Sequence, residues 1–157
     1  MFYVVAHNIR SLFNVGSLFR TADAFSVSKI YLTGYTPTPE LFKHKVKISK
    51  TALGAEEFVP WEHKISPVRL VKELKLKHPK IQVVALENNI KGKTIKLNKF
   101  KPKFPLVLIL GEEVGGVEKP LLKMADKVVE IPMFGQKESL NVSVAFGVAA
   151  YEISKHK

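Results

Sequence analysis

Three observations predict an α/β fold, a mainly parallel sheet flanked by helices. Six short apolar runs rich in β-branched or aromatic residues recur along the chain, helical patterns lie between several of them, and 46% of the 157 residues are apolar, enough for the core of one ordinary domain. The runs are Phe2 to Ala6, Lys29 to Thr33, Glu57 to Trp61, Ile81 to Leu86, Pro105 to Leu110 and Lys127 to Ile131, and each reads as a buried strand. Between the first two, Val15, Leu18, Phe19, Ala22 and Phe25 recur at helical spacing. Ser66 and Pro67 suit the cap and first position of a helix carrying Val68, Val71 and Leu74. A last helix is expected from near Ser139, which has a capping side chain, through Val142, Ala145, Ala149 and Tyr151 to Lys155. It is apolar on several sides, as a helix lying against a second subunit would be. Strands alternating with helices imply parallel pairing with both sheet faces covered. The stretch from Lys91 to Lys103, with six lysines, reads as an exposed connection, either touching phosphates or simply solvated.

Composition narrows the function. The chain has no cysteine, which excludes disulfides, thiolate metal sites and a cysteine nucleophile, and its five histidines at 7, 44, 63, 78 and 156 lack metal-ligand spacing; no metal is expected. A formal charge of +11, from 25 Lys and Arg against 14 Asp and Glu, points to a polyanion such as nucleic acid or to a lysine-rich background composition. No apolar run approaches a membrane span, and the short apolar start precedes the first basic residue, the reverse of a signal peptide, so a cytoplasmic location is expected.

Three segments carry the chemistry. Asn14-Val15-Gly16-Ser17-Leu18-Phe19-Arg20 follows strand one; Asn14 is placed to cap the helix, Gly16 leaves room for a close approach, and Arg20 sits in an otherwise apolar helix. Arg20 either serves a site, pairs with Asp23 or Glu113, or extends to the surface. Gly111-Glu112-Glu113-Val114-Gly115-Gly116 is a glycine turn between a strand and a helix starting near Glu118, at the sheet edge where open α/β folds bind ligands. It matches neither the dinucleotide fingerprint nor a phosphate loop. Ile131-Pro132-Met133-Phe134-Gly135-Gln136-Lys137-Glu138-Ser139-Leu140-Asn141-Val142-Ser143-Val144-Ala145 sets the polar Ser139, Asn141 and Ser143 at the mouth of an apolar helix, for a polar ligand or for plain capping.

In this order and spacing the three segments closely resemble motifs one, two and three of the SpoU, or TrmH-like, class of the SPOUT superfamily of RNA methyltransferases, over nearly the whole chain. The resemblance implies a single methyltransferase domain over residues 1–157 without a separate RNA-binding domain, a C-terminal deep trefoil knot, and a homodimer with a shared active site. It implies S-adenosyl-L-methionine as methyl donor, held around Leu86, Gly111, Ile131, Ser139 and Leu140, with Leu86 anchored by no sharp motif. The matching catalytic positions are Arg20, Asn14, Glu113, Ser139 and Asn141. The implied reaction is methyl transfer to a ribose 2'-hydroxyl of tRNA or rRNA, with tRNA ahead. Arg20 would act as the base or as a cation stabilising the alkoxide, Asn14 and Glu113 would orient it or the substrate, and Ser139 with Asn141 would shape the donor pocket and acceptor site. The rival readings are a non-catalytic RNA-binding or assembly protein on the same knotted fold, which the intact polar set disfavours, and a base-modifying enzyme, which should lack the segment from Asn14 to Arg20.

Overall fold

A computed structural model describes residues 1–88, 90, 92 and 94–157. Its centre is a seven-stranded, wholly parallel sheet of β1 (Phe2–His7), β2 (Lys29–Thr33), β3 (Trp61–Lys64), β4 (Gln82–Leu86), β5 (Thr94–Lys96), β6 (Leu106–Leu110) and β7 (Lys127–Glu130), in the order β3-β2-β1-β6-β4-β7-β5. The inner strands β1 and β6 are buried at every residue, as expected for strands covered on both faces. Val4, Leu108, Phe19 and Phe146 belong to one core, beneath α1 (Leu12–Ala24), α2 (Phe42–Ala52) and α6 (Val142–Ser154). Val5, Ile109, Leu70 and Leu121 belong to the other, beneath α4 (Pro67–Lys77) and α5 (Lys119–Met124).

Strand β7 lies between β4 and β5, both earlier in the chain, so the segments after it re-enter among elements already placed. Helix α6 then crosses back to pack on α1. Helices α1 and α2 approach closely at Gly16, where an added methyl group would collide with Ile48 and Thr51 of α2. At the C-terminal end of β1 a buried polar chain fixes the strand: His7 Nδ1 lies 3.0 Å from Thr33 Oγ1, and its Nε2 3.1 Å from Glu118. Buried Thr36 donates to the Ala6 carbonyl at 2.9 Å and accepts from the Ile9 amide at 3.0 Å.

The structure corrects the sequence reading at five places. The run from Glu57 to Trp61 is not one strand: Ala55–Phe58 is a short helix, α3, and the strand begins at Trp61. Leu53 and Gly54 both adopt positive φ and close α2, and Glu57 in the first turn of α3 pairs with Lys45 at 2.6 Å, so local turn chemistry overrides a β-like composition. The lysine-rich stretch is not merely a connection, because Thr94–Lys96 pairs with β7 as the sheet edge and Leu97 and Phe100 are buried behind it. Lys91 and Lys93 of that stretch lie outside the described residues. Ser139 does not cap the last helix; Asn141 does, accepting from the Ser143 amide at 2.9 Å. Asn14 does not cap α1 either, since Ser11 accepts from the Asn14 amide at 3.2 Å and leaves the Asn14 side chain free for other partners. Helix α2, with only Ile48 and Ala52 buried, has too few apolar anchors for its periodicity to announce it.

Candidate active site

At the C-terminal edge of the sheet, β4, β6 and β7 end around a cavity of about 330 Å³, within the range of small-molecule sites. Three loops close it. Beyond β6 the turn from Gly111 folds back so that Glu112 bridges Gly116, with the Gly116 amide donating to the Glu112 carbonyl at 3.0 Å. A side chain at Gly111 would strike the Gly116 and Val117 backbone, which makes glycine obligatory for this turn. Beyond β7 the irregular segment 131–141 forms the second wall, and the residues after β4 form the third.

Leu86, Gly111, Ile131, Ser139 and Leu140 all line this cavity, as do Glu113 and Asn141. Asn14 stands at its rim: its side-chain amide donates to Glu113 Oε1 at 3.1 Å, and its Oδ1 accepts from Asn141 Nδ2 at 3.2 Å. One residue from each of the three motifs therefore meets in a single chain, Asn14, Glu113 and Asn141. Arg20 does not join them. It lies six residues beyond Asn14, about 9 Å along the axis and on another face of α1, where it is exposed and has no ion-pair partner among the described residues. Neither pairing weighed for it, with Asp23 or with Glu113, is made among those residues.

Two residues that the motif reading passed over hold the walls together. Glu87 Oε2 accepts from the Val117 amide at 2.6 Å and its Oε1 from the Asn88 amide at 2.9 Å, fixing the glycine turn to the end of β4. Asn88 grips the other loop, donating to the Ile131 and Glu138 carbonyls at 3.0 and 3.2 Å and accepting from the Ile131 amide at 3.0 Å. Their one sequence signal is position, since polar residues directly after a buried strand at the ligand edge are placed to serve the loops there. At the mouth, Tyr35 donates to Glu112 Oε2 at 3.1 Å, and the Arg10 guanidinium lies over the Tyr35 ring, 5.6 Å from its centroid. The Tyr35 hydroxyl first, and Glu112 after it, bind the Arg10 proton more tightly than usual.

The glycine turn, the polar triplet and the Asn14 rim coincide with one whole-chain family signature, the SpoU rRNA methylase family, matched over residues 1–151. The chain belongs to the SpoU rRNA methylase family. Among its relatives, a tRNA (guanosine(18)-2'-O)-methyltransferase of Aquifex aeolicus is 32% identical over 98% of this chain and 69% of its own length. Against several ribosomal RNA 2'-O-methyltransferases the chain spans a little over half of their length. The AdoMet-bound rRNA methyltransferase structure from Sinorhizobium meliloti superimposes with a TM-score of 0.83 at 25% identity, over 99% of this chain and 56% of that one. A structure described as giving insights into the 2-OH methylation of C/U34 on tRNA also has a TM-score of 0.83, at 26% identity over 99% of this chain and 95% of that one.

The cavity suits an adenosyl-type donor. Apolar Leu86, Leu110, Ile131, Val142 and Ala145 offer surface for a flat ring, and the loop backbones around Gly111 and Leu140 offer amides and carbonyls for its polar edges. Among the described residues no group of three or more His, Asp or Glu side chains is placed to hold a metal, and no helix is long and apolar enough to cross a membrane.

Proposed function

We propose that this SpoU-family chain is an S-adenosyl-L-methionine-dependent RNA 2'-O-methyltransferase acting on tRNA or rRNA, with tRNA the first substrate to test. The observation that carries the reading is the convergence of Leu86, Gly111, Ile131, Ser139 and Leu140 on one cavity whose rim is the Asn14–Glu113–Asn141 chain. The bound donor supplies an electrophilic methyl carbon. The chain's part is to align it with a ribose oxygen and to assist loss of the hydroxyl proton. Glu87 and Asn88 hold the two donor loops in register. Asn14, Glu113 and Asn141 present amide and carboxylate groups toward an acceptor at the rim.

Arg20 enters through a second copy. Helices α1 and α6 expose Phe13, Val144, Val148 and Tyr151, each between 42 and 56% accessible, and a homodimer through these faces buries them. The reading then gives each site an Arg20 from the partner subunit, a cation beside the phosphate and the developing alkoxide. A guanidinium surrenders its proton reluctantly, so this electrostatic role is preferred to that of a base, and the hydroxyl proton is released to water as the oxygen takes the methyl group. The trefoil knot is part of the same reading, supported by β7 lying between two earlier strands and by α6 returning to α1.

The test is transfer of a labelled methyl group from the donor to bulk tRNA and rRNA lacking this modification, followed by nucleoside mass spectrometry. A 2'-O-methyl nucleoside in RNA, with no label entering DNA of matching sequence, is expected. Donor binding without transfer to either RNA would contradict the activity.

A further inference from the structure

The cavity accounts for the donor and the rim for the acceptor ribose, but neither uses the pair of side chains at the mouth. We propose that Arg10 and Tyr35 form a stacking shelf for a nucleobase of single-stranded RNA, one displaced from its neighbours as the chain enters the site. The inference rests on the RNA reading above and goes beyond it by naming where the base lies.

The shelf is built by the backbone. Gly34 has φ +65° and Asn8 φ +56°, and the Tyr35 amide donates to Asn8 Oδ1 at 3.2 Å. A side chain at Gly34 would run into the Asn8 side chain, so the turn that presents Tyr35 requires glycine. The Gly34 amide is itself tied to the Lys64 carbonyl at 3.2 Å. The turn fixes the Tyr35 backbone, yet the residue is 51% exposed. The Arg10 side chain is 73% exposed, and its Nε donates to the Tyr35 hydroxyl at 3.3 Å. Two planar groups are therefore locked to each other while facing water. Through the Tyr35 hydroxyl they are linked to Glu112, a lining residue of the donor cavity.

The chemistry of the shelf favours a base over a phosphate. Arg10 lies 3.8 Å from Glu112, and its backbone amide faces Glu113, so the local charge is largely neutralised and a bare phosphate meets two carboxylates. A base brings a π-face for the ring and guanidinium, and N–H donors for the carboxylates. As a structural device the cluster is weak, because an exposed ion pair and an exposed hydroxyl bond contribute little to stability.

Two measurements test it, using the full chain and a fluorescein-labelled, single-stranded RNA of about twelve nucleotides containing 5-iodouridine, which crosslinks to a stacked aromatic ring. Irradiation should place the crosslink on the peptide carrying Tyr35. By fluorescence anisotropy, Tyr35→Ala and Arg10→Ala should each weaken RNA binding by about tenfold, the scale of one lost base–aromatic stack, while Tyr35→Phe stays within about twofold. Calorimetric affinity for the donor should be unchanged in all three. Wild-type affinity in Tyr35→Ala, or crosslinks mapping only elsewhere, would overturn the shelf. Wild-type protein that binds the RNA and crosslinks at Tyr35 but transfers no methyl group would leave the shelf standing and contradict the activity instead.

Discussion

Asn14 and Arg20 occupy one helix, yet their surroundings differ in kind. Asn14 is bonded on both sides, to Glu113 of the glycine turn and to Asn141 at the cap of α6, so three distant segments fix it within one chain. Arg20 faces water with no ion-pair partner among the described residues, on the helix side opposite a row of buried Val15, Leu18, Phe19 and Ala22. An apolar residue there would cost the fold nothing in lost partners. The cavity and its rim are thus built in a single chain, while the Arg20 cation is displayed outward. The contrast separates a part of the molecule that tertiary packing fixes from a cation that this packing does not engage, and it is the second part that the proposed homodimer would put to use.

The largest effect expected from breaking this contrast is at Arg20. Arg20→Ala should lower single-turnover methyl transfer by at least about a hundredfold, as when one electrostatic catalytic donor is removed, and leave calorimetric donor binding nearly intact. Arg20→Lys keeps the charge but loses the planar fork and should recover little. Because Arg20 is exposed, its removal should not change the thermal unfolding midpoint, which separates a catalytic loss from a folding defect.

A smaller and opposite effect is expected on the donor side. Glu87 accepts two backbone amides, one of them from the glycine turn at Val117. Glu87→Gln should weaken donor binding by about tenfold, the cost of one charge-assisted hydrogen bond, and leave the transfer rate at saturating donor close to normal. An unchanged dissociation constant would remove Glu87 from the account. The smallest effect is at the rim: Asn14→Ala loses two exposed hydrogen bonds and should cost the fold about 1 kcal/mol or less, measured by denaturant unfolding.

Much of this arrangement is legible in the sequence, because glycine turns, a Ser-Pro helix start and apolar strands are local signals. Gly111 can be read from its place after Leu106–Leu110, and the Pro67 start of α4 from Ser66. What escapes is what tertiary structure decides. Thr94–Lys96 becomes a strand only because β7 offers it an edge, and α2 is helical although its face toward the core is short. The true caps, Ser11 and Asn141, lie three residues before and two residues after the residues that the motif spacing favours. The roles of Glu87 and Asn88 come from backbone groups far along the chain, at Val117, Ile131 and Glu138, which no local pattern reports. Of the readings open for Arg20, extension to the surface is the one the structure matches, because six residues along α1 carry it round to a face away from Asn14.

The central claim, that Arg20 of one subunit completes the cavity of another, is tested most directly by mixing two inactive variants. Arg20→Ala keeps the donor cavity, and Ser139→Trp, a bulky residue at an exposed lining position, fills it while keeping Arg20. Each homodimer should be inactive. After the two proteins are unfolded and refolded together, random pairing makes about half of the dimers mixed, each with one complete site, so methyl transfer should return to about a quarter of the wild-type level. Light scattering on the same sample should show dimers. Dimers that form but show no more transfer than the separate variants would contradict the account, and would place Arg20 in its own chain's site or outside the reaction altogether.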